Sequence, residues 1–138
     1  MEDTRPSWDT YFIEIAEKVS TRSTCTRLKV GCVLVADDNR ILSTGYNGSP
    51  KGLPHCIDEG CLKNDQGRCI RTVHAEINAI LSVDPESRKN STLYCTHEPC
   101  EHCTKSIIQA GIKKVVYKHS YPNDVNSYFS KYITWIKI

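Results

Sequence analysis

The alternation of hydrophobic and polar positions divides the chain into predicted helices and strands. From Trp8 to Val19, apolar residues recur at helical spacing with Glu and Lys between them, which predicts an amphipathic helix. The Val- and Leu-rich run 28–36 turns at Asp-Asp-Asn and resumes at 41–42, a pattern typical of two antiparallel strands in a hairpin. We therefore expect one helix followed by a hairpin.

Helices and strands alternate in the second half of the chain. The pattern predicts a helix over 73–83, a strand over 92–96, a helix with Pro99 in its first turn and Gly111 as its C-cap, and a strand over 114–118. The stretch 121–138 fits a short helix or a strand. Because strand-helix-strand units form crossovers on a shared sheet, we expect one α/β domain over 1–138, a three-layer α/β/α sandwich with a mixed central sheet.

Between the hairpin and the second helix, residues 43–72 show no lasting hydrophobic period. This segment holds five of the seven Gly residues, two of the six Pro residues and three cysteines. Loops beyond about 12 to 15 residues are usually functional or disordered. The clustered cysteines favour a functional loop held together by a metal.

Eight cysteines stand out in 138 residues that are otherwise of ordinary globular composition, 39% hydrophobic and 25% charged. Such a chain holds disulfides outside the cell or metal inside it. Residues 1–9 are polar, so we expect a cytoplasmic protein whose reduced cysteines bind zinc.

No run approaches the roughly 20 apolar residues of a spanning helix, so we expect no membrane partner. The scattered charges, with a net +2, predict no polynucleotide partner.

Two short motifs, His74-Ala75-Glu76 and Pro-Cys100-Glu-His-Cys103, each open a predicted helix. Together they match the zinc-deaminase signature, in which one His and two Cys hold zinc and a Glu moves protons. Thiolates at i and i+3 on a first helical turn face the same way, and one imidazole completes a shell of three ligands. The fourth tetrahedral position then stays open for water. We predict a catalytic zinc on His74, Cys100 and Cys103.

Glu76 is predicted to carry protons beside this zinc. Zinc lowers the pKa of its water to about 7, so that hydroxide is the expected nucleophile. Glu76 can take the proton from this water, protonate the ring nitrogen and deliver a proton to the departing ammonia. The alternative is an ordinary surface Glu on a helix.

A second, structural zinc is predicted from the cysteines that remain. Cys32 and Cys95 lie within predicted strands and are assigned to the core. The four left over lie in the long loop or at its edge, and a closed tetrahedral site needs four ligands; they are Cys25, Cys56, Cys61 and Cys69. His55 can replace Cys25 or Cys61. The alternative is four free thiols.

Further segments of the sequence, at 29–33, 45–50, 55–61, 69–73 and 107–114, extend the match beyond the zinc signature. With them, residues 8–122 resemble deoxycytidylate (dCMP) deaminases of the compact bacterial and phage type. The resemblance implies a cytidine-deaminase-like fold and the hydrolysis of dCMP to dUMP and ammonia, which supplies thymidylate synthesis. Rival interpretations are a deaminase of free nucleosides or of adenosine in tRNA, and a noncatalytic zinc module.

The resemblance also implies substrate contacts. Asn47 is expected against the sugar or base, although an ordinary turn Asn is the alternative, and Ala75 and Tyr121 are expected near the substrate, with packing the alternative for Tyr121. Cations and hydroxyls after the first helix suit a monophosphate; the candidates are Arg22, Ser23 and Lys29.

Regulation and assembly are expected from the same resemblance. Relatives are homohexamers activated by dCTP and inhibited by dTTP, so we expect a homo-oligomer, favouring a hexamer, and an effector triphosphate with Mg. The expected effector segment is Gly45, Tyr46, Asn47 and Gly48. Apolar residues of the tail predict burial at an interface; they are Ile133, Trp135, Ile136 and Ile138.

Overall fold

The computed structural model describes residues 4–67, 69–121 and 126–138. Helices and strands follow one another in the predicted order, with three further short helices and a fifth strand. The helices are α1 (Trp8–Ser20), α2 (Cys56–Glu59), α3 (Ala75–Leu81), α4 (Pro85–Arg88), α5 (Glu101–Gln109) and α6 (Asn126–Ser130). The strands are β1 (Gly31–Val35), β2 (Ile41–Tyr46), β3 (Thr92–His97), β4 (Lys114–His119) and β5 (Thr134–Lys137).

One mixed sheet runs through the molecule in the order β2-β1-β3-β4-β5. Strand β1 pairs antiparallel with both β2 and β3, whereas β3, β4 and β5 are parallel. The register places Cys32 opposite Cys95 and His97 beside His119. The predicted mixed central sheet is therefore confirmed.

Helices cover both faces of this sheet. On one face, Phe12, Ile13 and Ala16 of α1 pack against Val33, Tyr94 and neighbouring strand residues. On the other face, α3 and α5 pack over a second cluster that includes Leu93. Full burial of a side chain such as Leu93 stabilises the fold by roughly 1.5–3 kcal/mol. The layers confirm the predicted α/β/α sandwich.

Two glycines bring a helix into backbone contact with each face. A Cβ at Gly31 would lie 2.6 Å from the Ser20 nitrogen of α1, and still closer to the Ala16 oxygen. A Cβ at Gly45 would lie 2.6 Å from the Ala79 nitrogen of α3. Both helices therefore pack closer than any side chain at these positions allows.

The structure corrects several predicted boundaries. Strand β2 continues to Tyr46, so the long loop begins later than residue 43. Helix α5 begins at Glu101 after Cys100 as N-cap, so Pro99 precedes the helix; its fixed φ suits that extended position as well as a first turn. Ala110 is the C-cap, and Gly111 follows at φ +90°.

The tail contains both elements that its sequence allowed, α6 and β5, while residues 122–125 lie outside the described residues. Ile133, Trp135 and Ile136 pack partly buried against the chain's own core, and Ile138 is exposed. Most of the tail residues expected at an interface are thus used within the domain. Among the described residues, no helix has the length and hydrophobicity needed to cross a bilayer.

Candidate active site

The three predicted zinc ligands meet where α3 and α5 begin. His74 is the N-cap of α3, Cys100 is the N-cap of α5, and Cys103 lies in the first turn of α5. His74 Nδ1 is 3.2 Å from the Cys103 sulfur and 3.6 Å from the Cys100 sulfur. All three ligand atoms lie within 4.8 Å of one another, so the structure brings the predicted set together.

One imidazole and two thiols are a donor set that zinc prefers, and three protein ligands leave a fourth tetrahedral position open. Hydrogen bonds from Cys103 and from His74 lower the pKa of Cys100 to about 3. The hydrogen bond with Cys100 raises the pKa of His74. A thiolate that forms readily at a helix N-terminus fits a bound zinc cation.

Glu76 is not the surface residue that the alternative interpretation required. It lies in the first turn of α3 and is only 4% exposed. Burial raises the pKa of its carboxyl group above the ordinary value. A raised pKa makes a carboxyl group a stronger base, which suits a group that accepts a proton and later returns it.

Behind Glu76 lies a pair of thiols whose proximity the sequence did not reveal. The Cys32 thiol donates to Glu76 Oε1 at 3.4 Å and lies 3.4 Å from the Cys95 sulfur. Both cysteines are fully buried, which confirms their assignment to the core. Burial raises the pKa of each thiol, which keeps the pair protonated beside the carboxyl group.

A pocket opens in front of the ligands. Three of the predicted substrate residues line it: Asn47, Ala75 and Tyr121. Residues that sequence reasoning missed also line it, and they are Leu28, Val30, Thr72, His97 and Glu98. His97 ends β3 and Glu98 follows it, two residues before the ligand Cys100, so their position in the chain was the available signal.

Asn47 is held by hydrogen bonds within the domain. Its Nδ2 donates to the Leu28 carbonyl at 2.6 Å, and its Oδ1 accepts from the Val30 amide at 2.9 Å. The same Oδ1 accepts from the Ser23 hydroxyl at 2.6 Å. These bonds leave one amide N–H for a ligand.

The structure does not bring the predicted phosphate residues into the pocket. Ser23 is 6% exposed and is hydrogen-bonded to Asn47. Arg22 and Lys29 are exposed, and neither lines this pocket. The segment that contains them reaches the pocket through Leu28 and Val30 instead.

The expected effector segment follows the edge strand. Gly45 packs against the backbone of α3, and the carbonyl oxygen of the exposed Tyr46 accepts a hydrogen bond from Asn78 at 2.8 Å. Gly48 pairs with Val73, the residue before His74. These contacts give the segment a role in positioning α3, and effector binding there stays a prediction.

In the long loop, the structure brings three of the four remaining cysteines together. The sulfurs of Cys56, Cys61 and Cys69 lie within 4.8 Å of one another. Although burial acts in the opposite direction, backbone hydrogen bonds lower the pKa of Cys69 to about 7. Cys25 is buried outside this group, and the neighbouring Thr26 hydroxyl lies 3.6 Å from the Cys61 sulfur.

His55, the alternative ligand, precedes Cys56 as the N-cap of α2. Its Nδ1 lies 3.1 Å from the Thr24 hydroxyl, so it faces the segment that contains Cys25. Each candidate for a fourth ligand is therefore adjacent in the chain to a residue at the three sulfurs: Cys25 precedes Thr26, and His55 precedes Cys56.

Comparison with known proteins identifies the family. A family model described as the cytidine and deoxycytidylate deaminase zinc-binding region matches residues 6–119. The chain belongs to the cytidine and deoxycytidylate deaminase family. It is 49% identical over 119 residues to ComE operon protein 2 of Bacillus subtilis, covering 85% of this chain and 62% of that protein. It is 42% identical over 130 residues to deoxycytidylate deaminase of Saccharomyces cerevisiae, covering 90% of this chain and 41% of that protein.

A phage relative has nearly the same length as this chain. Deoxycytidylate deaminase of Mycobacterium phage D29 is 43% identical over 126 residues, which cover 82% of this chain and 95% of that protein. The solved structure of dCMP deaminase from cyanophage S-TIM5 in complex with dCMP and dUMP matches with a TM-score of 0.80 and 33% identity. That match covers 99% of this chain and 100% of the phage chain, and it confirms the cytidine-deaminase-like fold.

Proposed function

We propose that this chain hydrolyses dCMP to dUMP and ammonia. The observation that carries the proposal is the His74, Cys100 and Cys103 group beside the buried Glu76 at one pocket. The similarity to a cyanophage dCMP deaminase bound to dCMP and dUMP, over almost the whole chain, supports this substrate.

His74, Cys100 and Cys103 would hold the zinc, which supplies a water acidified to a pKa of about 7. Glu76 would accept a proton from the water and pass it to the ring nitrogen of cytosine as the water oxygen bonds to the amine-bearing ring carbon. A second proton from the same oxygen would pass through Glu76 to the amine, whose bond to that carbon breaks, so that one water is consumed and one ammonia is released. Burial favours the protonated form of Glu76, which allows the carboxyl group to act as both base and acid.

Substrate positioning is assigned to residues that line the pocket. Asn47 has one unused amide N–H for a sugar or base oxygen, and Ala75 and Tyr121 lie beside the ligands. Phosphate recognition by Arg22, Ser23 and Lys29 stays a prediction, which requires dCMP to be deaminated faster than deoxycytidine.

A structural zinc in the long loop is the second part of the proposal. Cys56, Cys61 and Cys69 supply three sulfurs, and Cys25 or His55 supplies the fourth ligand. Such a zinc orders a loop in which Leu53, Ile57 and other apolar side chains stay exposed. Assembly into a homo-oligomer, favouring a hexamer, and regulation by dCTP and dTTP with Mg are carried by the family resemblance alone.

An ammonia-release assay on four substrates tests the proposed function. The zinc-loaded protein is given dCMP, deoxycytidine, cytidine or an RNA that contains adenosine. We expect dCMP to be deaminated at least about a hundredfold faster than the others, because loss of a charged hydrogen-bonding group costs about 3 kcal/mol. Equal rates on dCMP and deoxycytidine would exclude phosphate recognition, and turnover of adenosine alone would establish the rival deaminase class.

A further inference from the structure

Glu98 joins the rim of the pocket to the C-terminal strand. This residue follows β3 and lines the pocket. Its Oε1 accepts from the Tyr121 backbone amide at 3.1 Å, and its Oε2 accepts from the Trp135 indole nitrogen at 2.9 Å. Its own amide donates to the His119 carbonyl at 2.8 Å. Both carboxylate oxygens are thus occupied by donors that lie 23 and 37 residues away.

Trp135 is a rigid donor. It lies in β5, where it is the register partner of Val115 in β4. Its ring packs at 5.9 Å from the ring of Tyr117, and the side chain is half-buried against the core. The indole N–H is therefore directed at Glu98 by the sheet and not by a mobile surface side chain.

From this network we infer that Trp135 and Glu98 are positioning residues for substrate binding, an inference that rests on the proposed function. Through these bonds, Glu98 holds the segment that follows β4, including Tyr121, against the pocket. Trp135 holds the carboxylate in the orientation that allows this. Without the indole donor, one carboxylate oxygen loses its partner, and the carboxylate is no longer fixed in the orientation that holds the Tyr121 amide.

This geometry predicts a loss of substrate affinity with little change in the chemical step. Among the described residues, neither side chain is hydrogen-bonded to the three ligands or to Glu76, so kcat is expected to stay within about twofold. A hydrogen bond to a charged group contributes enough to change KM for dCMP by about tenfold.

Trp135→Phe and Glu98→Gln test the inference together. Trp135→Phe keeps an aromatic ring and removes the donor, whereas Glu98→Gln keeps the shape and removes the charge. Each is expected to raise KM for dCMP about tenfold, because Trp135→Phe removes one of the two donors and Glu98→Gln leaves one acceptor oxygen for both of them. The double variant is expected to be no worse than either single one, because all three break the same network. Trp8→Phe is the matched control, since Trp8 is 56% exposed on α1 and does not line the pocket. Unchanged KM in both single variants, or additive effects in the double variant, would overturn the inference.

A measurement independent of turnover separates this inference from the proposed function. The protein has two tryptophans, so its nitrogen-15 spectrum contains two indole N–H signals, and the signal missing in Trp135→Phe belongs to Trp135. In the intact protein this proton should exchange with water at least about tenfold more slowly than that of Trp8, and Glu98→Gln should reduce the difference. Equal exchange of both indoles in the wild type refutes the contact. If the protein fails to deaminate dCMP while the Trp135 indole proton still exchanges more slowly than that of Trp8, the proposed function is refuted. The contact between Glu98 and Trp135 would then stand, with no dCMP for it to position.

Discussion

Replacing Gly45 with Ala is expected to impair deamination more than the loss of stability alone explains. The new Cβ would lie 2.6 Å from the Ala79 nitrogen, whereas ordinary van der Waals contact begins at 3.4 Å. The atoms in its way are backbone atoms of α3, which cannot rotate aside, so the helix must shift by roughly 1 Å. Helix α3 contains Glu76 and begins directly after His74, so this shift separates the proton carrier from the ligands on α5.

Two magnitudes follow from this displacement. Overpacking of this kind costs about 1–3 kcal/mol, which lowers the melting temperature of a domain of this size by about 3–10 °C. A misplacement of about 1 Å between reacting groups costs about a hundredfold in rate. Thermal melts and ammonia release from dCMP, measured on one zinc-loaded sample well below its melting temperature, give both numbers.

Gly31→Ala is the matched control. The Cβ it introduces would lie 2.6 Å from the Ser20 nitrogen, so the same steric conflict arises between β1 and α1 on the opposite face of the sheet. Helix α1 carries no residue of the site, so we expect a similar loss of stability with turnover within about threefold of wild type. Equal turnover in the two variants at equal melting temperatures would refute the link between Gly45 and α3. Wild-type stability and basal turnover in Gly45→Ala would leave effector binding as the reason for this glycine.

Glu76→Gln should retain zinc and lose at least about a hundredfold in turnover, because an amide cannot carry the proton; residual activity within about tenfold would contradict the assigned role. Cys56→Ser with Cys69→Ser should lower the zinc content from about two per chain to about one, with a lower melting temperature, and one zinc in both proteins would refute the loop site. Burial and the nearby His119 lower the pKa of His97, so the unfolded chain binds more protons as the pH falls below the ordinary histidine value. The free energy of unfolding should therefore fall as the pH drops below the ordinary histidine pKa of about 6.5, and less steeply in His97→Gln; equal slopes in chemical denaturation would refute this effect.

The zinc ligands could be predicted from the sequence because their geometry is mostly local. Cys100 and Cys103 are one turn apart, and their orientation follows from the start of a helix. His74 is similarly the N-cap of α3, and Glu76 lies in its first turn. The non-local part of the prediction is that the N-termini of α3 and α5 lie close together. The order of strands and helices along the chain puts both at the same end of the sheet.

The phosphate assignment shows where composition alone is insufficient. Arg22, Ser23 and Lys29 have suitable chemistry, but composition does not specify the direction of a side chain. The Ser23 hydroxyl is instead turned inward, where it donates to Asn47 at 2.6 Å. The long loop shows the same limit, since elimination predicted four cysteines and the structure brings Cys56, Cys61 and Cys69 together without Cys25.

Strand register explains why the surroundings of Glu76 and Glu98 could not be predicted. Cys32 and Cys95 face each other across β1 and β3 at a separation of 63 residues, and a shift of one residue would turn both thiols to the opposite face. Trp135 reaches Glu98 only because β5 adds in parallel to β4, and a strand of four residues carries too few positions for a period of two to be recognised. Glu76 can therefore be recognised from a local sequence motif. The contacts that hold Glu76 and the pocket rim instead depend on which strands become neighbours.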